Sequence, residues 1–343
     1  MNPIKRVLLD ALAARGVRPV LRPFRRGTGT IFMLHRLSDP ETGAVGMDPA
    51  NLRVVLAFLR RRGYELVDLR EMFRRLKEPG GTTDLGVAFS IDDGYAEQAR
   101  IAGPIFAEFD CPATVFVTTG FLDQQLWLWW DRIEYVFDTC RRRNVMTTIG
   151  ETTLKYRWDV GEGPAEATAN FTARCKQVPD EVRHDAIARL AESAEVDLPA
   201  LAPRRYAPMS WPELRRWEER GLAFGPHTVS HPVLSRTNDE QSHREIAGSW
   251  SRLCAMACRP TPVFCYPNGQ REDFGPREWS TLQSLGFEGA LAATPGYAET
   301  AEFRARPENA FAVRRFLLPD DYRMAAKYVS GAERIRYGTG RLA

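Results

Sequence analysis

The chain has 343 residues, 44% apolar and 27% charged, with a net charge of +3. This is the make-up of a globular protein with room for one large core or two smaller ones. So small a net charge argues against a nucleic-acid partner, and no apolar run approaches the ~20 residues needed to span a bilayer. The charge is unevenly placed: residues 1–30 hold seven Lys/Arg and one Asp, a net of +6, leaving −3 for the rest.

Along residues 3–15, Ile4, Val7, Leu8, Ala11 and Leu12 recur at helical spacing beside basic residues. Such a helix either caps the main domain or lies on an anionic membrane surface, with residues 1–26 as a peripheral contact; capping is the favoured expectation. Asp10 interrupts Val7-Leu8-Leu9 before any secretory apolar region forms, so a cytoplasmic location is expected, at the inner face of the membrane if residues 1–26 dock there.

A buried strand is predicted at Thr30–Leu34, ending at His35, then a helix over 49–62 with Leu52, Val55, Leu56 and Leu59 on one face. Gly86–Ile91 and Ala113–Val117 read as strands on either side of a helix from Ala96 to about Phe109. Further apolar runs at Leu222–Phe224, Pro262–Tyr266, Phe287–Leu291 and Phe311–Leu318 alternate with helix-like segments. Strands alternating with helices imply a largely parallel α/β sheet, and chemistry-bearing residues at several strand ends make a barrel its natural closure.

Residues 121–205 break the rhythm with Trp127-Leu128-Trp129-Trp130, a charged stretch over 140–160, and Gly161-Glu162-Gly163-Pro164. This reads as an insertion between barrel units, helical from Pro179 to about Ala194. Its tryptophans either stack on sugar rings or hold the insertion to the barrel by apolar contact, the second being favoured. The expected division is a basic amphipathic segment over 1–27, a barrel over 28–320 with its insertion, and a tail over 321–343.

Two strings carry the chemistry. Phe89-Ser90-Ile91-Asp92-Asp93-Gly94 ends one apolar run, and His227-Thr228-Val229-Ser230-His231 follows another. Adjacent carboxylates repel unless a cation or proton separates them. One Asp plus two His is a three-ligand set with an open position, and the second Asp is then free to act as a base. Thr228 and Ser230 can fix the loop and ring orientations by hydrogen bonds. In Phe264-Cys265-Tyr266-Pro267-Asn268-Gly269 a strand ends in a turn whose backbone N–H groups suit a developing oxyanion. The six cysteines are scattered and read as free thiols; Cys254 and Cys258, four apart, lack a second Cys/His pair nearby.

In this order, Asp-Asp-Gly, His-Thr-x-x-His and Tyr-Pro-x-Gly resemble the polysaccharide deacetylase family, also known as the NodB-homology or carbohydrate esterase 4 family. Met209-Ser210-Trp211-Pro212-Glu213-Leu214 and His231-Pro232-Val233-Leu234-Ser235 extend the likeness, which covers roughly residues 28–120 and 206–318. The resemblance implies a distorted (β/α) barrel and a metal-dependent hydrolase removing acetyl groups from an N-acetylhexosamine in a polysaccharide, oligosaccharide or lipid-linked glycan. It makes Asp92 the general base that activates the attacking water. Asp93, His227 and His231 become ligands for zinc, or for Co²⁺ or Ni²⁺, and the Asn268 N–H the oxyanion donor.

Three departures from the family pattern stand out. Where members carry an Arg that holds the base, this chain has Cys265, leaving Arg259, Arg314 or Arg315 to substitute. The late Leu-x-Leu-x-His motif that supplies the acid is missing, and Leu34-His35-Arg36 matches an early string that serves instead in some members, making His35 the expected acid. The acidic group that orients the catalytic histidine has only Glu288 as a counterpart. Two other readings stay open: hydrolysis of a non-sugar amide, and an inactive carbohydrate-binding protein on the same scaffold.

Overall fold

The computed structural model describes residues 3–78, 84–158 and 163–334. Gly161-Glu162 of the expected insertion turn, and residues 335–343 of the expected tail, lie outside them. Three helices lead in: α1 (Pro3–Ala13), α2 (Val17–Val20) and α3 (Arg22–Arg25). Then come β1 (Thr28–Leu34), α4 (Pro49–Arg61), α5 (Leu69–Lys77) and β2 (Val87–Asp93). A π-helical turn at Gln98–Ala102 runs into α6 (Gly103–Glu108), where an uninterrupted helix was expected, and β3 (Ala113–Val117) follows.

The inserted stretch holds α7 (Thr119–Leu122), α8 (Trp129–Thr139), a hairpin of β4 (Asn144–Ile149) and β5 (Thr152–Arg157), α9 (Ala165–Cys175) and α10 (Asp180–Ala194). Beyond it lie α11 (Trp211–Glu219), β6 (Leu222–Pro226), α12 (Asp239–Met256), β7 (Val263–Cys265), α13 (Pro276–Ser284) and β8 (Gly289–Leu291). The chain ends with β9 (Ala298–Glu299), α14 (Thr300–Ala305), β10 (Phe316–Leu317) and α15 (Tyr322–Val329). Of the strand expected over Phe311–Leu318, only Phe316–Leu317 form a strand, with Val313 making an isolated bridge to Leu291 and Pro307–Phe311 turning as a 3₁₀ helix.

Strands β10-β1-β2-β3-β6 form a parallel sheet in that order, with β9 antiparallel to the start of β1. Strands β7 and β8 pair in parallel, and a Leu291–Val313 bridge carries the ring back towards β10. The seam lies between β6 and β7, joined by the Thr261 N–H donating to the Phe224 carbonyl at 2.7 Å. The strands thus wrap into a distorted (β/α) barrel. Gly225 permits the seam: a Cβ there would stand 2.6 Å from the Phe116 ring and 2.9 Å from the Val263 carbonyl.

Every residue of β1, β2 and β3 is buried, as expected of parallel strands covered on both faces. Each fully buried Ile, Phe or Val contributes about 1.5–3 kcal/mol. The helices outside start on side-chain caps: Asp48 for α4, Asp68 for α5, Asn238 for α12, and a reciprocal Ser210–Glu213 box for α11. The insertion has its own apolar cluster, in which Trp129, Ile133, Phe137, Val145, Leu154, Phe171, Ile187 and Leu190 meet. Trp127 and Leu128 instead join the main core. Trp129 belongs to the insertion's cluster and Trp130 packs against both, so residues 127–130 tie the insertion to the barrel by apolar contact. The segment expected as a tail opens with α15, whose Ala325, Ala326 and Val329 are buried in that core.

Candidate active site

Register levels the site. Asp93 lies opposite Val117 and Val117 opposite Pro226, so His227 follows β6 at the height where β2 ends. His35 directly follows β1 beside them, and Cys265 ends β7. Active sites of α/β barrels collect at this end of the strands.

His227 and His231 each present Nε2 at 3.5 Å from the same oxygen, Asp93 Oδ1, with all three side chains buried. His227 Nδ1 donates to the Cys265 carbonyl at 2.7 Å, so that the neutral ring carries its lone pair on Nε2. A tetrahedral site with ligand bonds of about 2.0–2.2 Å has donor–donor edges of about 3.3–3.6 Å, so this spacing fits a divalent metal. Asp92, His227 and Cys265 also lie within reach of one another. That set is the poorer one, because burial pushes the Cys265 thiol up, away from the thiolate a metal needs. Among the described residues, neither exposed Cys254 nor exposed Cys258 belongs to a metal-sized cluster.

The loop between the histidines is held in costly conformations. Of the seven non-glycine residues with positive φ among those described, Asp93 (86°), Thr228 (67°), His231 (60°) and Asn268 (58°) are at this site. For a β-branched threonine the left-handed region is a true outlier, at roughly 1–3 kcal/mol. Glu245 of α12 offsets that cost by accepting from the Val229 N–H, the Ser230 N–H and the Ser230 hydroxyl at 2.6–2.9 Å. The Thr228 hydroxyl accepts from the His231 N–H at 3.0 Å. Thr228 and Ser230 therefore fix the loop, whereas Glu245 carried no signal, sitting mid-helix among ordinary polar residues.

Of the three candidate arginines, Arg315 is the one that reaches Asp92. Wholly buried, it donates from Nη1 to Asp92 Oδ1 at 2.8 Å and to the Ser90 hydroxyl at 2.9 Å, and from Nε to the Ala292 carbonyl at 2.9 Å. Arg259 instead donates to the Glu218 carbonyl and Arg314 to Glu302. Burial alone would raise the Asp92 carboxyl; Arg315, with His35 and His227, holds it down to about 2. With Asp92 as the base, Arg315 acts as its positioning residue, and Arg315→Met is expected to lower kcat/KM at neutral pH about 10²-fold. Burial then acts on Asp92 with only the two imidazoles opposing it, its pKa rises, and the acid limb of the pH–rate profile moves to higher pH. Arg315→Lys keeps the charge and is expected to restore part of both. An unmoved acid limb in the Met variant would refute the assignment.

His35 lies at the cavity mouth, 43% exposed, with Nε2 3.8 Å from Asp92 Oδ2. Glu288 lies at the far end of the barrel, its N–H donating to the Pro262 carbonyl just before β8, and cannot orient His35. The acids beside neighbouring Arg36 belong to another network. Arg36 donates to Glu97 at 2.7 Å and lies 3.9 Å from Asp131 and 4.0 Å above the Tyr95 ring. The Tyr95 hydroxyl donates to Asp131 at 2.8 Å and accepts from Trp130 Nε1 at 3.0 Å. Trp130, packed edge-on against His231 at 4.5 Å, thereby forms a wall of the site. Sequence reasoning missed Tyr95, Glu97 and Asp131, since lone aromatic and acidic residues carry no spacing signal.

The cavity holds about 450 Å³, within the range of small-ligand sites. The barrel contributes His35, Asp92, Asp93, His227, His231 and Asn268, and the insertion adds Trp129, Trp130, Thr172 and Lys176. The Asn268 N–H has no hydrogen-bond partner among the described residues.

The family model described as polysaccharide deacetylase matches residues 80–290. No curated protein matches the chain. Among solved structures, it is similar to the Streptococcus pyogenes deacetylase PplD in complex with acetate, at 16% identity and TM-score 0.54, over 86% of this chain and 94% of that one. IcaB from Ammonifex degensii is similar at 16% identity and TM-score 0.53, over 89% and 97%. A de-N-acetylase from Aggregatibacter actinomycetemcomitans is similar at 12% identity and TM-score 0.51, over 86% and 96%. At such identities these likenesses speak to the fold, which they share as a barrel of the NodB type. The family match spans more than half of the chain, and the protein accordingly belongs to the polysaccharide deacetylase family, hydrolases that act on carbon–nitrogen amide bonds.

Proposed function

We propose that the protein is a metal-dependent de-N-acetylase of an N-acetylhexosamine in a polysaccharide, oligosaccharide or lipid-linked glycan. The observation that carries this reading is the pair of imidazole Nε2 atoms facing one Asp93 oxygen, with a second carboxylate and a third histidine on the same cavity. Asp93, His227 and His231 would hold the ion, with zinc preferred and Co²⁺ or Ni²⁺ suited to the same donors. Once bound, it would supply Lewis-acid polarisation of the amide carbonyl and acidify water.

The chain's own groups divide the remaining work. Asp92, held ionised by Arg315, takes a proton from water as its oxygen adds to the acetyl carbon. The Asn268 N–H donates to the oxyanion that forms. His35 gives its proton to the amide nitrogen as the C–N bond breaks, releasing acetate and a free amine. Trp130 and the insertion narrow access for bulk water. That one similar structure is described as holding acetate and another as a de-N-acetylase accords with this substrate class. The Arg315–Asp92 pair supplies the charge partner whose absence would have favoured an inactive binding protein.

The test is acetate release by the zinc-loaded protein from N-acetylglucosamine oligomers, with free amine counted in parallel. Equal amounts of both products, abolished by chelation, are expected. Turnover of small cyclic amides without any acetate from acetylated sugars would replace this reading with the non-sugar amidase.

A further inference from the structure

Helix α1 has two apolar faces. Leu9 and Ala13 point inward and are buried, where the helix packs along α15. Val7 and Leu8 lie on the other side, 67% and 62% exposed, and Ile4 and Ala11 share their face at i, i+3, i+4 and i+7 spacing. A helix at a protein surface ordinarily buries its apolar stripe and turns charges to water. Here a second stripe faces outward. Val20 of α2 and Phe24 of α3 are exposed as well, so residues 4–24 hold five of the ten large apolar side chains exposed among the described residues.

The surrounding charge is mainly positive. Asp10, the single acidic residue among residues 1–30, is engaged by Arg323. Arg6, Arg15, Arg22 and Arg26 form no ion pair among the described residues, nor do Arg61 and Arg62 at the end of α4. Arg62 Nε donates to the Ala13 carbonyl at 2.8 Å, tying the end of α4 to the end of α1. Beside this joint, Arg15, Arg61 and Arg62 line a surface cleft of about 350 Å³ with Val54, Phe58 and Tyr322 as apolar walls. Guanidinium groups over an apolar floor match the phosphate and upper acyl region of a phospholipid.

We propose that this N-terminal platform docks on an anionic phospholipid surface, Val7 and Leu8 entering the headgroup layer while Arg15, Arg61 and Arg62 engage lipid phosphates. An 11-residue helix is too short to span a bilayer but suits the interface. A second copy of the chain is the poorer occupant, because it would bring a like-charged basic patch against this one. The inference is independent of the deacetylase chemistry, and its test involves no turnover.

The experiment is co-sedimentation of the full chain with vesicles of phosphatidylcholine alone, or of phosphatidylcholine with phosphatidylglycerol. Binding is expected to the anionic vesicles and to weaken with salt. The exposed double substitution Val7→Asp/Leu8→Asp is expected to weaken it about tenfold or more, and Arg15→Glu/Arg61→Glu to act comparably. Melting curves check that both variants fold. Failure to sediment with anionic vesicles at low salt, or sedimentation equal in wild type and Val7→Asp/Leu8→Asp, overturns the proposal. So does a wild-type dimer in sedimentation velocity that this variant breaks while vesicles are ignored, which assigns the face to self-association.

Discussion

Asp92→Asn is expected to lower kcat/KM for acetate release by about 10²–10⁴-fold while leaving metal content unchanged. The amide keeps the shape of the carboxylate and an oxygen for Arg315 Nη1, which now stands 2.8 Å from Asp92 Oδ1. It has no lone pair basic enough to take a proton from water. Its effect therefore separates proton transfer from metal binding, since Asp93 and both histidines are untouched. The change also leaves a buried guanidinium without a counter-charge, at a stability cost of up to about 3–5 kcal/mol. Rates are accordingly compared on protein shown by its melting curve to be folded. Undiminished acetate release would remove Asp92 from the mechanism.

His227→Ala is expected to reduce bound metal from about one equivalent to nearly none, and acetate release with it. Two of the three donors remain, but the buried Asp93 carboxylate then shares its site with a single imidazole. Elemental analysis of purified wild type and variant reads this without knowledge of the substrate. A second readout is thermal: zinc at about 100 times its Kd should stabilise the wild type by about 2.7 kcal/mol and the variant hardly at all. The variant also orphans the Cys265 carbonyl, at about 1–3 kcal/mol, so His231→Gln is measured beside it. Full metal occupancy in both variants would show that the ion is held elsewhere.

The Asp93–His227–His231 cluster was visible in the chain because its parts are local. Asp92 and Asp93 cap an apolar run long enough to be a buried strand, and His227 and His231 stand four residues apart after another. How the pair converges was not visible: His231 reaches Asp93 because Thr228 and His231 take left-handed backbone conformations in a loop clamped by Glu245. The charge partner of the base could be narrowed to three arginines and no further. Arg314 and Arg315 are neighbours, yet one meets Glu302 and the other Asp92. The β4–β5 hairpin inside the insertion escaped notice because only one face of a two-stranded unit is apolar, and its polar outer face reads as loop.

What the amino-acid order determined alone was therefore periodic or contiguous: the strand–helix alternation, the strand-end carboxylates, the histidine pair and the basic N-terminal helix. Burial, turn chemistry and ligand type act through near neighbours in the chain, and so they leave a local trace. What only the tertiary structure decided involves partners far apart in sequence. Arg315 meets Asp92 across 223 residues, Trp130 of the insertion packs on His231, and α15 covers one face of α1 while the other stays exposed. Such pairings are selected by how the barrel closes and what packs upon it, and a buried charge or an aromatic ring has no periodicity that announces its partner.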